Sequence, residues 1–110
     1  MTTYEIRTVQ VVTQEQIDDV MSTALDSGIS YWCDDVRIDG ELPDNLYMSD
    51  MLTRGNVLKF HTREEDTWHE LTIVKLLDEM GKMQFNFDEY DSMDADSLIQ
   101  RSLFGEVIYG

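Results

Sequence analysis

The spacing of hydrophobic and polar positions changes several times along the chain, and each change predicts an element. From Tyr4 to Val12 the residues are rich in Val, Ile, Thr and Tyr, which predicts a strand. Tyr4, Ile6 and Thr8 would share one face and Val9 and Val11 the other. Thr13-Gln14-Glu15-Gln16 has the form of a capping box, and Ile17, Val20, Met21, Ala24 and Leu25 follow at helical spacing. Gly28 suits the end of that helix, where a positive φ is expected. Ile29 to Ile38 reads as a second strand, closed by the turn Asp39-Gly40. Pro43 blocks regular structure, and Asp44 caps a short helix near Asn45 to Thr53 that buries Leu46, Tyr47, Met51 and Leu52.

After Gly55 the period returns to that of strands. Asn56 to Thr62 and Thr67 to Leu71 predict a hairpin, joined by Arg63-Glu64-Glu65-Asp66. Thr72 caps a third helix with Ile73, Leu76, Leu77 and Met80 as its stripe, and Gly81 falls inside or just beyond its end. Residues 86–96 lose periodicity. Asp94 then caps a last helix with Leu98, Ile99 and Leu103 on its apolar side, Gly105 stops it, and Glu106 to Gly110 makes a short final strand. The expected fold is a single α+β domain over residues 1–110. It is a mainly antiparallel sheet of about four to five strands with about three to four helices packed on it. Neither a repeat nor a linker interrupts it.

Charge changes this picture most. The 110 residues carry 23 acids against 8 Lys and Arg, a formal net charge of −15, within a chain that is 42% hydrophobic and 10% aromatic. Disordered acidic chains lack that apolar content, so the charge belongs to a folded domain and repels itself there. Residues 1–33 hold 5 acids and 1 base, residues 34–50 hold 6 and 1, residues 51–75 hold 4 and 4, and residues 76–110 hold 8 and 2. The hairpin region is therefore neutral, and the excess lies in two blocks, Asp34 to Asp50 and Asp78 to Glu106. A uniform solubilising coat gives no reason for that unevenness. The bland reading of Asp88 to Asp96 is a solvated loop followed by a helix with acids at its favourable end.

The charge also sets which partners to expect. Nucleic acid and anionic membrane surfaces are disfavoured, and basic proteins are favoured. No apolar run approaches the ~20 residues of a membrane span, and the N-terminus lacks the basic and apolar regions of a secretory signal. Cys33 is the only cysteine. A single thiol fits a reducing compartment, so a cytoplasmic protein is expected.

Catalytic and metal chemistry find little support. Asp35, Arg37, Asp39 and Gly40 echo the start of a calcium loop, but its third position is Arg37 and its twelfth is Leu46, where a bidentate Glu is required. His61 and His69 flank the hairpin, could face each other across it, and could be joined by Cys33. No zinc spacing supports that, and ordinary strand histidines are the better reading. The chain has no glycine-rich phosphate loop and no GxSxG. We therefore expect no enzyme activity, cofactor or metal.

A row of carboxylates can stand in for phosphates, which duplex DNA carries at one charge per ~1.7 Å of axis. Asp88, Glu89, Asp91, Asp94 and Asp96 form one candidate contact patch. Asp34, Asp35, Asp39, Glu41, Asp44 and Asp50 form the second. Their role would be to replace phosphates in ion pairs with Arg and Lys of a basic nucleic-acid-binding protein. The alternative is an interaction module that binds through apolar surface around Tyr47, Met48 and Met51. A third class, an enzyme using Cys33 or the histidines, would be removed by function that survives thiol alkylation and chelation.

The run from Asp94 to Gly110, ending Ile99-Gln100 … Leu103-Phe104-Gly105-Glu106-Val107-Ile108-Tyr109-Gly110, together with Tyr31-Trp32-Cys33 and Leu71-Thr72, resembles a family of small acidic proteins. That family is carried by phages and mobile elements of Gram-positive bacteria. Arg101 and Ser102 depart from its pattern, which has a Tyr-Ala pair there. The resemblance implies no catalytic residues. It implies counter-defence in a bacterial host cytoplasm, of the anti-CRISPR kind, with a CRISPR effector nuclease as partner. Such nucleases hold their duplexes with Arg and Lys. It leaves a homo-oligomer open.

Overall fold

A computed structural model of the chain describes residues 2–4 and 10–110. Alternation organises the sheet. In β2 (Leu58–Thr62), Leu58, Phe60 and Thr62 are buried while Lys59 and His61 point to the other face. β3 (Thr67–Leu71) pairs with it antiparallel and in simple register, Leu58 opposite Leu71 and Thr62 opposite Thr67. Its turn needs one left-handed residue, supplied by Asp66 at φ +52°. β1 (Cys33–Arg37) lies on the other side of β2, also antiparallel, with an irregularity between Cys33 and Asp35. The order is β1-β2-β3.

The helices cover the Leu58–Phe60–Leu71 face. α1 (Gln14–Thr23) starts at the expected capping box, with Thr13 and Gln16 bonded reciprocally. It continues as a π-helical turn, Ala24–Gly28. α2 (Ile73–Met83) is capped by Thr72, and α3 (Ser92–Phe104) by Asp91. Ile17, Val20 and Met21 of α1, Leu76 of α2 and Leu98 and Ile99 of α3 meet Trp32, Leu52, Leu58 and Phe60 in one core. Each fully buried Leu or Phe contributes about 1.5–3 kcal/mol.

The α+β class and the antiparallel sheet agree with the pattern, and several details do not. Three strands form among the described residues, fewer than the four to five expected. The strand expected over Tyr4 to Val12 falls largely on residues 5–9, outside the described residues, and Gln10 to Val12 have no regular structure. Ile29 to Trp32 turn instead of extending, because Ile29 O accepts from both Trp32 N and Cys33 N. Asn45 to Thr53 splits into two short 3₁₀ turns, Met48–Asp50 and Leu52–Arg54. The expected last strand is an irregular tail whose backbone is held by a side chain of α3. Gly28 takes no positive φ. Its need is space: a Cβ there would lie 2.8 Å from Ser92 O and 3.6 Å from the Asp96 Cβ. The π-helical turn thus rests directly on the first turn of α3.

Candidate functional site

The first candidate patch is built by the end of α2. Gln84, left-handed at φ 51°, turns the chain out of the helix. Phe85, Phe87 and Tyr90 then hold the following loop down, with ring centroids 5.2 and 5.4 Å from Phe85. With the aromatic residues turned inward, Asp88 and Glu89 are left exposed. Asp91 Oδ1 accepts from Asp94 N at 2.9 Å and Asp94 Oδ2 accepts from Asp91 N at 3.1 Å. This capping box sets two carboxylates at the positive end of the α3 dipole, and its cap, Asp91, lies three residues before the expected one, Asp94. Phe87, Asp88, Glu89, Tyr90, Asp91 and Asp94 line a shallow depression. Among the described residues none of its four carboxylates is in an ion pair.

Asp96 is not part of that surface, contrary to expectation. It is 8% exposed and points into the fold. Its Oδ2 accepts from Tyr31 Oη at 2.5 Å, and its Oδ1 accepts from Trp32 Nε1 at 2.7 Å and Gln100 Nε2 at 2.9 Å. Gln100, fully buried, extends the network to the tail, where its Oε1 accepts from Ile108 N and Tyr109 N at 2.9 and 2.8 Å. The Tyr109 ring stacks on Trp32 at 5.3 Å, and its hydroxyl bonds Glu65 in the hairpin turn. Burial, reinforced by Asp96, pushes the Tyr31 phenol up to about 12. Tyr31, Trp32, Gln100, Ile108 and Tyr109 therefore converge in one cluster around the buried Asp96 and Gln100, with Tyr31 and Ile108 reaching the surface. That cluster ties α3, the β1 approach and the tail together.

The second patch is divided by the sheet. β1 lies against β2, so Asp39 reaches Lys59 at 2.8 Å. Asp35 pairs with Arg37 at 2.7 Å. Asp34 Oδ1 meets His61 Nδ1 at 2.6 Å, and Asp66 Oδ1 meets the same ring at Nε2, also 2.6 Å. Two carboxylates on both ring nitrogens call for a doubly protonated imidazolium. Accordingly the bond to Asp34, then that to Asp66, raises the His61 pKa, and the bond to His61 lowers that of Asp34. Asp50 accepts from Tyr47 N at 2.8 Å as a local cap. Only Glu41 and Asp44 of this block are exposed and without an ion pair or side-chain bond among the described residues.

The remaining candidates are placed as follows. Cys33 is buried, and burial pushes its thiol up, away from the thiolate a nucleophile needs. His61 lies opposite Trp68 and His69 opposite Phe60, so the two histidines are on opposite faces of the sheet and do not face each other. Among the described residues, no group of three or more His, Cys, Asp or Glu is arranged to hold a metal ion. In the apolar alternative, Tyr47 is exposed, but Met51 belongs to the core. No described helix is long and apolar enough to cross a membrane.

Counting charges put Asp96 on the contact surface and missed its structural role. Its signal was positional: Asp96 and Gln100 are four apart beside the Ala95–Leu98–Ile99 stripe, where side chains of one helix face meet. Compared with protein-family models, curated proteins and solved structures, the chain matches none.

Proposed function

We propose that the chain is a non-enzymatic inhibitor from a phage or mobile element that occupies the basic nucleic-acid site of a bacterial defence nuclease, a CRISPR effector above all. The observation that carries this reading is the surface at residues 87–94. Asp88, Glu89, Asp91 and Asp94 share one depression with no cation pairing them among the described residues. The net charge of −15 adds long-range attraction to a basic groove and fast association that weakens with salt. Glu41 and Asp44 are the members of the second block suited to the same role. Asp34, Asp35 and Asp39 are engaged by His61, Arg37 and Lys59 and contribute less net field.

A competition assay tests the proposal. Excess protein should displace labelled target DNA from the nuclease, with an apparent affinity that falls steeply as salt is raised. Displacement that is absent, or indifferent to salt, rejects the phosphate-replacement mechanism.

A further inference from the structure

A groove of about 810 Å³ runs between Gln10–Val12, α1, α2 and the 84–88 loop. Three features of it serve no packing among the described residues. Leu77 is 41% and Val11 88% exposed, so apolar side chains stand in water at its rim. Gly81 lies inside α2, where glycine disfavours the helix relative to alanine. Its φ is not positive, and a Cβ there would meet nothing within 4 Å, so neither backbone geometry nor internal packing asks for glycine. What glycine does at that position is keep one side of the groove low.

The groove and the acidic depression are one continuous surface, since Phe87 and Asp88 line both. Neutral amides and one carboxylate line the groove alongside its apolar residues, without Lys or Arg among the described residues. Lys82, next to Gly81, is engaged by Asp78 at 3.0 Å and Glu79 at 3.6 Å. A second copy of the chain would bring another −15 to this surface, and nucleic acid would bring phosphates. Both are repelled.

From these observations we infer that the groove and depression dock a basic amphipathic helix of the partner protein. Its apolar stripe lies on Leu77 and Gly81, and its Lys or Arg residues reach Asp88, Glu89 and Asp94. The inference rests on the acidic-surface reading and adds an apolar half to it. Helix-in-groove recognition supplies the register that charge attraction alone lacks.

The probe is a fluorescent synthetic helix with Leu at i, i+3, i+4 and i+7 and Lys elsewhere. A scrambled peptide of the same composition, without an apolar stripe, is the control. Both are titrated into the full chain near physiological salt and followed by anisotropy. The striped peptide should bind at least about tenfold more tightly than the scrambled one, as anchors in a pocket do. Gly81→Gln should weaken the striped peptide by about tenfold and leave the scrambled one unchanged. Gly81→Ala should raise the melting temperature while weakening the striped peptide, because alanine favours the helix and fills the groove. Equal binding of both peptides with no effect at Gly81 would overturn the groove and leave the acidic surface standing. Asp88→Lys with Glu89→Lys should weaken both peptides. If both are indifferent to that charge reversal, the acidic reading and this inference fall together, as they do if neither peptide binds.

Discussion

Asp39 and Asp88 read alike in the sequence, each an acid in a charge-rich stretch, yet the fold gives them different surroundings. Asp39 meets Lys59 at 2.8 Å because β1 is laid along β2, and its neighbours Asp34 and Asp35 are likewise engaged by His61 and Arg37. Asp88 follows an aromatic anchor out of α2, in a depression whose carboxylates have no cation in an ion pair among the described residues. The neutral hairpin explains the difference. Counted by segment it looked like a region spared from charge. In space its Lys59 and His61 are the counterions of Asp39 and Asp34, while Asp35 is paired within β1 by Arg37. Block 34–50 is therefore partly an internally compensated sheet face, and block 88–94 is the better stand-in for a polyanion.

The sharpest test within the 88–96 patch sets Asp96 against Asp88. Asp96→Ala leaves the Tyr31 hydroxyl, the Trp32 indole N–H and the Gln100 amide without their shared acceptor, and should cost about 3 kcal/mol of stability. Asp88→Ala removes an exposed carboxylate and should change stability by less than about 0.5 kcal/mol. Urea unfolding of the two variants measures both. Equal losses would break the division between a structural and a surface acid. A related loss of about 1–3 kcal/mol is expected for Gly28→Ala, whose new methyl would collide with Ser92 O, backbone that cannot swing aside. A neutral result there would mean that the first turn of α3 is not held against the π-helical turn.

The hairpin, the helix starting after Thr72 and the stop at Gly105 were legible because each rests on local rules, alternation, capping and a left-handed C-terminus. The capping box at Asp91 and Asp94 was missed because both residues suit the cap position, and only the backbone shows which one is first. The tail was misread as a strand because Val107 and Ile108 have strand propensity. Its partner is a glutamine side chain rather than another strand, and propensity carries no information about that. The acidic candidates were legible as a list. Which of them face water depended on pairings between residues about twenty or more apart, Asp39 with Lys59 and Trp32 with Asp96, which no period reports.

The comparison of the two blocks can be sharpened at the level of binding. Asp88→Lys with Glu89→Lys should slow association with a basic partner on the order of tenfold at low salt, because steering follows the net local field. Asp35→Asn with Asp39→Asn should change it by less than about twofold, since each change also frees a cation from an exposed pair of little energetic weight. Stopped-flow association rates, read at two ionic strengths, separate the cases. A larger effect from the sheet pair would reverse the ranking of the blocks.

The smallest expected effect lies in the Asp34–His61–Asp66 clamp and concerns pH. The folded-state pKa of His61 is raised above its usual 6.5, so its contribution to stability is fully present below that value and is lost as pH rises through the folded pKa. The Asp34 pKa is lowered below 3.8, so its contribution is present above that value and is lost as pH falls through the folded pKa. The clamp is thus at full strength between the two usual values, and weakens as pH rises through the folded His61 pKa or falls through the folded Asp34 pKa. NMR titration of the His61 ring should give a midpoint above 6.5. Asp34→Asn should lower that midpoint more than Asp66→Asn, because the bond to Asp34 is the larger cause. The Trp68 ring, 4.9 Å from His61, should report the same midpoint by fluorescence. A midpoint unmoved by either substitution would show that the carboxylates do not hold the ring, and would return Asp34 to the set of uncompensated surface acids.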